Sequence, residues 1–113
     1  MGPIYHLAVL ADWDAYASEY RGSTLGRSLD DVGFIHCSTA SQVKQVADVV
    51  YSGRNDVLLL KIDPGLLGLP VLYEEVGGER FPHIYGPIPK AAVISATPMR
   101  AGENGRLEIG TLG

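Results

Sequence analysis

The first part of the chain contains a short apolar run of strand length, and apolar residues then recur with the period of a helix. The run Ile4–Leu10 is mostly apolar, which is typical of a buried strand, and the strand period places His6 on the same side as Ala8. A helical repeat follows, and we expect Asp12 to cap this first helix and Gly22 to end it. The apolar stripe of this helix consists of Trp13, Tyr16, Ala17 and Tyr20.

Residues 33–39, with the sequence GFIHCST, read as a further strand that leads into the best-marked helix of the chain. Because side chains alternate along a strand, three of them should share one face, namely Phe34, His36 and Ser38. Ile35 and Cys37 should share the opposite face. We therefore expect Cys37 to be a core residue with an unreactive thiol.

Thr39 marks the predicted start of the second helix. Gln42 stands three residues later and completes a T-x-x-Q capping box. Apolar residues then recur with helical spacing at Val43, Val46, Ala47 and Val50. We expect a helix from Thr39 to about Ser52 with this stripe buried. Earlier in the chain, residues 21–31 should form an exposed loop. The free N–H groups of such a helix start favour a negatively charged ligand.

The second half of the chain predicts strands. Val57–Ile62 is apolar almost throughout, which indicates a strand covered on both faces and therefore central in its sheet. Val71–Glu75 and Ala91–Thr97 read as further strands. Asn104 and Gly105 form a hairpin signal that should return the chain over residues 106–109.

The segment Phe81–Pro89 contains three prolines in nine residues. Proline lacks a backbone N–H, so this segment should not form a central strand. We expect instead a stiff extended segment, with Phe81, His83 and Tyr85 on one side.

Two early helices followed by strands predict an α+β fold with a mixed or antiparallel sheet. The chain of 113 residues is long enough for a single domain over residues 1–113. A doubly wound α/β fold is the alternative, and too few helices after residue 53 argue against it. No glycine-rich phosphate-binding fingerprint is present.

Charge and composition exclude several classes of protein. The net charge of -4, without a Lys/Arg stripe, argues against a nucleic-acid binder. We expect no membrane segment, because no apolar stretch approaches about 18 residues, and no signal peptide. Cys37 is the only cysteine, which excludes an intrachain disulfide and fits a cytoplasmic location.

Three motifs carry a resemblance to a known family. They are Ile-Tyr-His near the start, Gly-Phe-Ile-His-Cys-Ser-Thr in the middle and Phe-Pro-His-Ile-Tyr-Gly-Pro late in the chain. Together they resemble the small bacterial and plant proteins of the DUF952 family, whose function is unknown. Members of that family are similar in fold to ADP-ribosyltransferases, which implies two small sheets around a nicotinamide-dinucleotide cleft.

The resemblance also implies roles for particular residues. His6 matches the first-strand His of one group of ADP-ribosyltransferases, and Glu74 matches their late Glu. Where those enzymes have a Tyr or a Ser-Thr-Ser motif, this chain has His36–Thr39. The implied cofactor is NAD, although no cofactor is required by the residues themselves.

All three histidines lie in extended segments beside apolar or aromatic residues, so we expect them to meet in one cleft. The candidate catalytic residues are His6, His36, His83 and Glu74. The candidate ligand-binding residues are Ser38, Thr39 and Tyr85. A carboxylate near imidazoles can fix a tautomer or act as a general base.

Three functional hypotheses follow from this cleft. The first is an NAD- or ADP-ribose-type nucleotide-binding protein or transferase, and the second is a small-molecule binding module without catalysis. The third is a three-His metal site, which no H-x-x-x-H or H-E-x-x-H spacing supports. The sequence leaves open whether a reaction is catalysed, which small molecule is bound and how many chains assemble.

Overall fold

The computed structural model describes residues 2–102, 104, 105 and 107. Its eight strands are β1 (Ile4–Val9), β2 (Glu19–Tyr20), β3 (Ile35–His36), β4 (Val57–Ile62), β5 (Val71–Val76), β6 (Glu79–Ile84), β7 (Ile88–Pro89) and β8 (Val93–Met99). Its three α-helices are α1 (Leu10–Ala15), α2 (Leu29–Val32) and α3 (Val43–Val50).

The strands form three small sheets in the described part of the chain, with the orders β1-β4-β8, β2-β7 and β3-β6-β5. Every strand pair is antiparallel. The α+β prediction is therefore confirmed, and the doubly wound alternative is wrong because that fold needs parallel strands. β4 lies between β1 and β8, as its continuous apolar run predicts.

Among the described residues, one isolated bridge joins the first and third sheets. Tyr5 on β1 exchanges two main-chain hydrogen bonds with Ser38, of 2.8 and 2.7 Å. Because β1 alternates, one of its faces packs with the strands of all three sheets, and the other packs against α3. Tyr5 and Leu7 belong to the face that meets α3.

The first helix is shorter than the predicted one. α1 ends at Ala15, its N-cap is Val9 without a side-chain hydrogen bond, and Tyr20 lies on β2 instead of in the helix. The aromatic stripe reflects tertiary packing, because Trp13 and Tyr16 contact the ring of Tyr20 at centroid distances of 5.7 and 5.9 Å. Aromatic side chains that meet through the fold gave a false helical period here.

The loop predicted over residues 21–31 contains a helix start. Ser28 caps α2 by accepting a hydrogen bond from the N–H of Asp31, and the Asp31 carboxylate accepts one from the N–H of Ser28. Both halves of a capping box are thus present. The aspartate at the fourth position carries the signal that the sequence interpretation missed.

The helix predicted from Thr39 begins four residues later, at Val43. Gln42 accepts a hydrogen bond from the Thr39 N–H at 3.0 Å, which is one half of the predicted box. The other half is absent, since the Thr39 hydroxyl contacts Ser41. Val43 and Ala47 are buried as predicted, whereas Val46 and Val50 are half-buried.

Pro82 lies in β6, the central strand of its sheet, so the prediction that the proline-rich segment could not supply a central strand is wrong. The Pro82 carbonyl accepts a hydrogen bond from the Cys37 N–H at 2.9 Å, one residue beyond the end of β3. The N and the carbonyl of a strand residue face the same neighbour, so the missing N–H of Pro82 also falls there. The proline is tolerated because the β3 ladder has already ended at that point.

The remaining predictions concern the end of the chain. β8 begins at Val93, after a short 3-10 turn at Lys90–Ala92, instead of at Ala91. Leu107 bridges Ala101, and the rest of the predicted return over residues 106–109 lies outside the described residues. None of the helices in the described residues has the length and apolar character of a membrane-spanning segment.

Candidate functional site

His36 and His83 face each other across the β3-β6 ladder. They are direct Cα partners in the antiparallel register, so their side chains project from the same face of the sheet. Nδ1 of His36 lies 3.0 Å from Nε2 of His83, which is a hydrogen bond between the two imidazoles. The short two-residue pairing of β3 with β6 therefore brings together residues that are 47 positions apart in the sequence.

Glu74 and Tyr85 extend this contact. Nδ1–H of His83 donates to Oε1 of Glu74 at 2.8 Å, and the Tyr85 hydroxyl donates to the same oxygen at 2.5 Å. Gly77 and Gly78, both with positive φ, form the turn that folds β5 back onto β6 and places Glu74 diagonally across from His83. The result is a continuous chain of hydrogen bonds from the Glu74 carboxylate to His36.

The His83 ring is held by hydrogen bonds at both of its nitrogens and by a stacked aromatic ring. Its side chain is only 2% exposed, while that of Glu74 is 39% exposed, so the chain runs from solvent into the protein. Phe34 stacks on the His83 ring with centroids 4.1 Å apart and an interplanar angle of 16°. The ring therefore has little freedom to leave its two hydrogen-bond partners.

The partners determine where the protons lie. A carboxylate accepts but does not donate, so His83 carries its hydrogen on Nδ1 and, when neutral, accepts one from Nδ1–H of His36 through Nε2. The lone pair of His36 is then on its Nε2, for which no hydrogen bond to another described residue is found. Hydrogen bonds from Tyr85 and His83 lower the pKa of Glu74 and keep it ionised. Burial, with the nearby His83 as a second cause, lowers the pKa of His36 to about 4.

His6 binds the main chain of the site. Its Nδ1–H donates to the His36 carbonyl at 2.6 Å, and its Nε2 accepts from the Tyr20 hydroxyl at 2.9 Å. Burial lowers the pKa of His6 to about 4, so this ring is neutral, as the two hydrogen bonds require. Both ring nitrogens of His6 are occupied, and it holds the backbone that carries the His36 ring.

A cleft of about 460 Å³ opens beside His36. One wall is apolar and comes from Val46, Val49 and Val50 of α3, together with Val76 and Phe81 of the β5-β6 hairpin. The polar residues of the lining include Tyr5, His36 and Ser38. Tyr5 and Ser38 are opposite each other across their bridge, and His36 lies two residues before Ser38, so all three project from one face.

The match to a family model covers residues 8–96, and that family is described as a protein of unknown function, DUF952. The chain belongs to this family. Three solved chains match, all of CC0527 from Caulobacter crescentus. The crystal structure of CC0527 and that of its double mutant each share 28% identity with a TM-score of 0.81, over 94% of this chain and 93% of theirs. The solution NMR structure shares 29% identity with a TM-score of 0.77, over 94% and 91%. No curated protein matches.

These matches support membership in the DUF952 family and its fold. They do not bear on the likeness to ADP-ribosyltransferases. A small α+β domain with antiparallel sheets agrees with the CC0527 structures, whereas the descriptions of these three chains name no ADP-ribosyltransferase. The likeness to ADP-ribosyltransferases therefore stays an implication of the sequence resemblance. The matched region, residues 8–96, contains both histidines of the hydrogen-bonded pair.

The structure places the predicted residues of this DUF952 domain in different positions. His36 and Ser38 border the cleft, and so does His6, although both of its ring nitrogens are already bonded. His83 and Glu74 lie behind His36, and Tyr85 lies at the outer end of the chain of hydrogen bonds. Two of the three histidines, His6 and His36, thus border the cleft, and the ring of His83 bonds to that of His36 without bordering the cleft itself.

Thr39 is not among the residues that line this cleft, and the helix start on which its predicted anion site depends lies further along the chain. The N–H of Thr39 is bonded to the side chain of Gln42, and α3 itself begins only at Val43. Cys37 lies on the opposite face and is 1% exposed, and burial raises the pKa of its thiol. Among the described residues, no three His, Cys, Asp or Glu side chains are placed to hold a metal ion.

Tyr5 is the residue that the sequence interpretation missed. It is 1% exposed and borders the cleft, and among the described residues its hydroxyl has no hydrogen-bond partner. The period of the first strand places Tyr5 opposite in direction to His6, and an aromatic residue there reads as ordinary core. Only the cross-strand pairing with Ser38 shows that it shares a face with His36.

Proposed function

We propose that this protein binds an uncharged, largely apolar small molecule in the cleft and that His36 accepts a proton from it. The observation that carries the proposal is the hydrogen-bonded chain Glu74–His83–His36, which ends at the cleft wall. His36 is the catalytic residue in this proposal, because its Nε2 would touch the ligand. His83 and Glu74 are positioning residues that act through it.

The chain of hydrogen bonds explains how the half-buried imidazole of His36 can act as a base. Burial alone makes a charged His36 unfavourable, which is why its pKa is low. When Nε2 of His36 takes a proton, its Nδ1–H can pass to Nε2 of His83. The positive charge then rests on His83, 2.8 Å from the Glu74 carboxylate, where it is stabilised.

The lining of the cleft argues for an uncharged ligand. It is mostly apolar and contains Glu79, and none of its described residues is Lys or Arg. Nothing there would neutralise the phosphates of a dinucleotide. The NAD- or ADP-ribose-type ligand implied by the resemblance is therefore the less favoured form of this proposal, and a three-His metal site lacks a supporting geometry.

The base can be tested with 5-nitrobenzisoxazole, an uncharged aromatic compound of suitable size. A base removes its C–H proton, the C–H electron pair forms the nitrile, the N–O bond breaks and a coloured phenolate is released. We expect His36→Gln to lower the initial rate by about a hundredfold or more. If the purified wild-type protein converts 5-nitrobenzisoxazole no faster than His36→Gln does, the proposal is contradicted.

A matched pair of variants tests whether the Glu74 carboxylate assists His36 as a base. Glu74 and its neighbour Glu75 lie on the same strand, and Glu75 is exposed on the other face. Glu74→Gln should slow the elimination strongly and shift its pH profile, while Glu75→Gln should leave both unchanged. Equal effects of the two changes would show that the carboxylate acts only through net charge. A separate calorimetric titration with NAD and ADP-ribose tests the less favoured, nucleotide-binding form of the proposal.

A further inference from the structure

Tyr5 brings a second functional group to the same cleft. Its side chain is buried on the face of β1 that carries neither Ile4 nor His6, and it projects beside Ser38 and His36. Of all buried side-chain oxygens and nitrogens in the described residues, only the Tyr5 hydroxyl and one oxygen of Asp48 lack a partner. A buried hydroxyl without a partner is unfavourable, so a ligand oxygen that accepts its hydrogen would be bound at this point.

The cleft therefore combines three features. Its lining is largely apolar, His36 offers an unprotonated Nε2, and Tyr5 offers a hydroxyl donor. A donor held in a low-dielectric site stabilises negative charge that develops on an oxygen during a reaction. A base beside such a donor suits a substrate in which proton loss at one atom places charge on a nearby oxygen.

We propose that the substrate is an uncharged carbonyl compound, that Tyr5 donates to its carbonyl oxygen and that His36 removes a proton from the adjacent carbon. This inference rests on the proposed function and adds the class of substrate. The C–H bond breaks, its electron pair forms a carbon–carbon double bond, and the carbonyl π pair moves to the oxygen that Tyr5 holds. The proton passes to His36 and returns to the same or a conjugated carbon, so no oxidant or co-reactant is needed.

The test uses 1-tetralone, a two-ring ketone, in D2O. Proton NMR follows exchange of its α hydrogens for deuterium on the wild-type protein and on three variants: His36→Gln, Tyr5→Phe and Tyr73→Phe. We expect His36→Gln to abolish the protein-dependent exchange and Tyr5→Phe to slow it by about a hundredfold. Tyr73→Phe removes an exposed hydroxyl from the β5 edge and should leave the rate unchanged.

Two further measurements distinguish a role of the Tyr5 hydroxyl in binding the ketone from a role in stabilising the fold. The Tyr5→Phe protein should melt at the wild-type temperature or above it, because it loses a hydroxyl without a partner in the described residues. Ketone labelled with carbon-13 at the carbonyl should show a downfield shift on binding to wild type that is absent with Tyr5→Phe. A purely structural role for Tyr5 would leave that shift in place.

The outcomes distinguish this inference from the function on which it rests. Turnover of 5-nitrobenzisoxazole without tetralone exchange, or exchange that Tyr5→Phe does not slow, would overturn the inference and leave the proposed base intact. Absence of both reactions would overturn both. Exchange that depends on His36 and on Tyr5 together supports the carbonyl assignment.

Discussion

Replacing His6 should flatten the pH dependence of the protein's stability. His6 is 2% exposed and neutral, with one ring nitrogen donating to the His36 carbonyl and the other accepting from the Tyr20 hydroxyl. His6→Gln keeps an amide N–H and an amide oxygen for these two partners but cannot be protonated. The variant therefore isolates the titration of one buried side chain.

The magnitude follows from the lowered pKa. Burial lowers the pKa of His6 from 6.5 to about 4. The unfolded chain then binds more protons than the folded chain between these two values, so stability falls as the pH drops through this window. At about 1.4 kcal/mol per pH unit, His6 alone should remove about 3 kcal/mol from the free energy of unfolding between pH 6.5 and 4. This is a large share of the roughly 5–15 kcal/mol that stabilises a typical domain.

The assay is urea unfolding at intervals from pH 7.5 to 4, with the free energy extrapolated to water at each pH. Wild type should lose about 3 kcal/mol more than His6→Gln over this range, while carboxylates that titrate in both proteins cancel in the difference. An NMR titration of the His6 ring in wild type provides an independent check and should give a pKa near 4. Parallel stability curves for the two proteins would refute the reasoning.

Three further predictions concern the fold. Val43→Asp should lower the free energy of unfolding by several kcal/mol because it buries an unpaired charge. Val46→Asp should lower it clearly less, because Val46 borders the cleft. Thermal melts measure the difference, and coinciding melting temperatures of the two variants would contradict it. Ser28→Ala should lower the free energy of unfolding by about 1 kcal/mol by removing the acceptor of the Asp31 N–H, and urea unfolding measures it, with no loss expected if the capping box is not formed in solution. Cys37 should react with a thiol reagent only after denaturation, so rapid stoichiometric labelling of the native protein would place it outside the core.

The sequence by itself determined the features that depend on local pattern. The continuous apolar run of β4 requires cover on both faces, and the alternation around Cys37 puts the thiol in the core; both agree with the structure. The pairing of His36 with Ser38 on one face also follows from the strand period alone. These features survive in any tertiary arrangement, because burial of apolar residues on one side is the condition for forming each element.

Only the tertiary structure decided which strands pair and in what register. The two-residue ladder between β3 and β6 places His36 against His83, and a shift of one residue would turn these side chains to opposite faces. Pro82 became acceptable in a central strand because its missing N–H falls beyond the end of that ladder. Tyr5 became a candidate donor only through its bridge to Ser38. Such contacts depend on residues far apart in the chain, so the free energy that selects them is absent from any local window of the sequence.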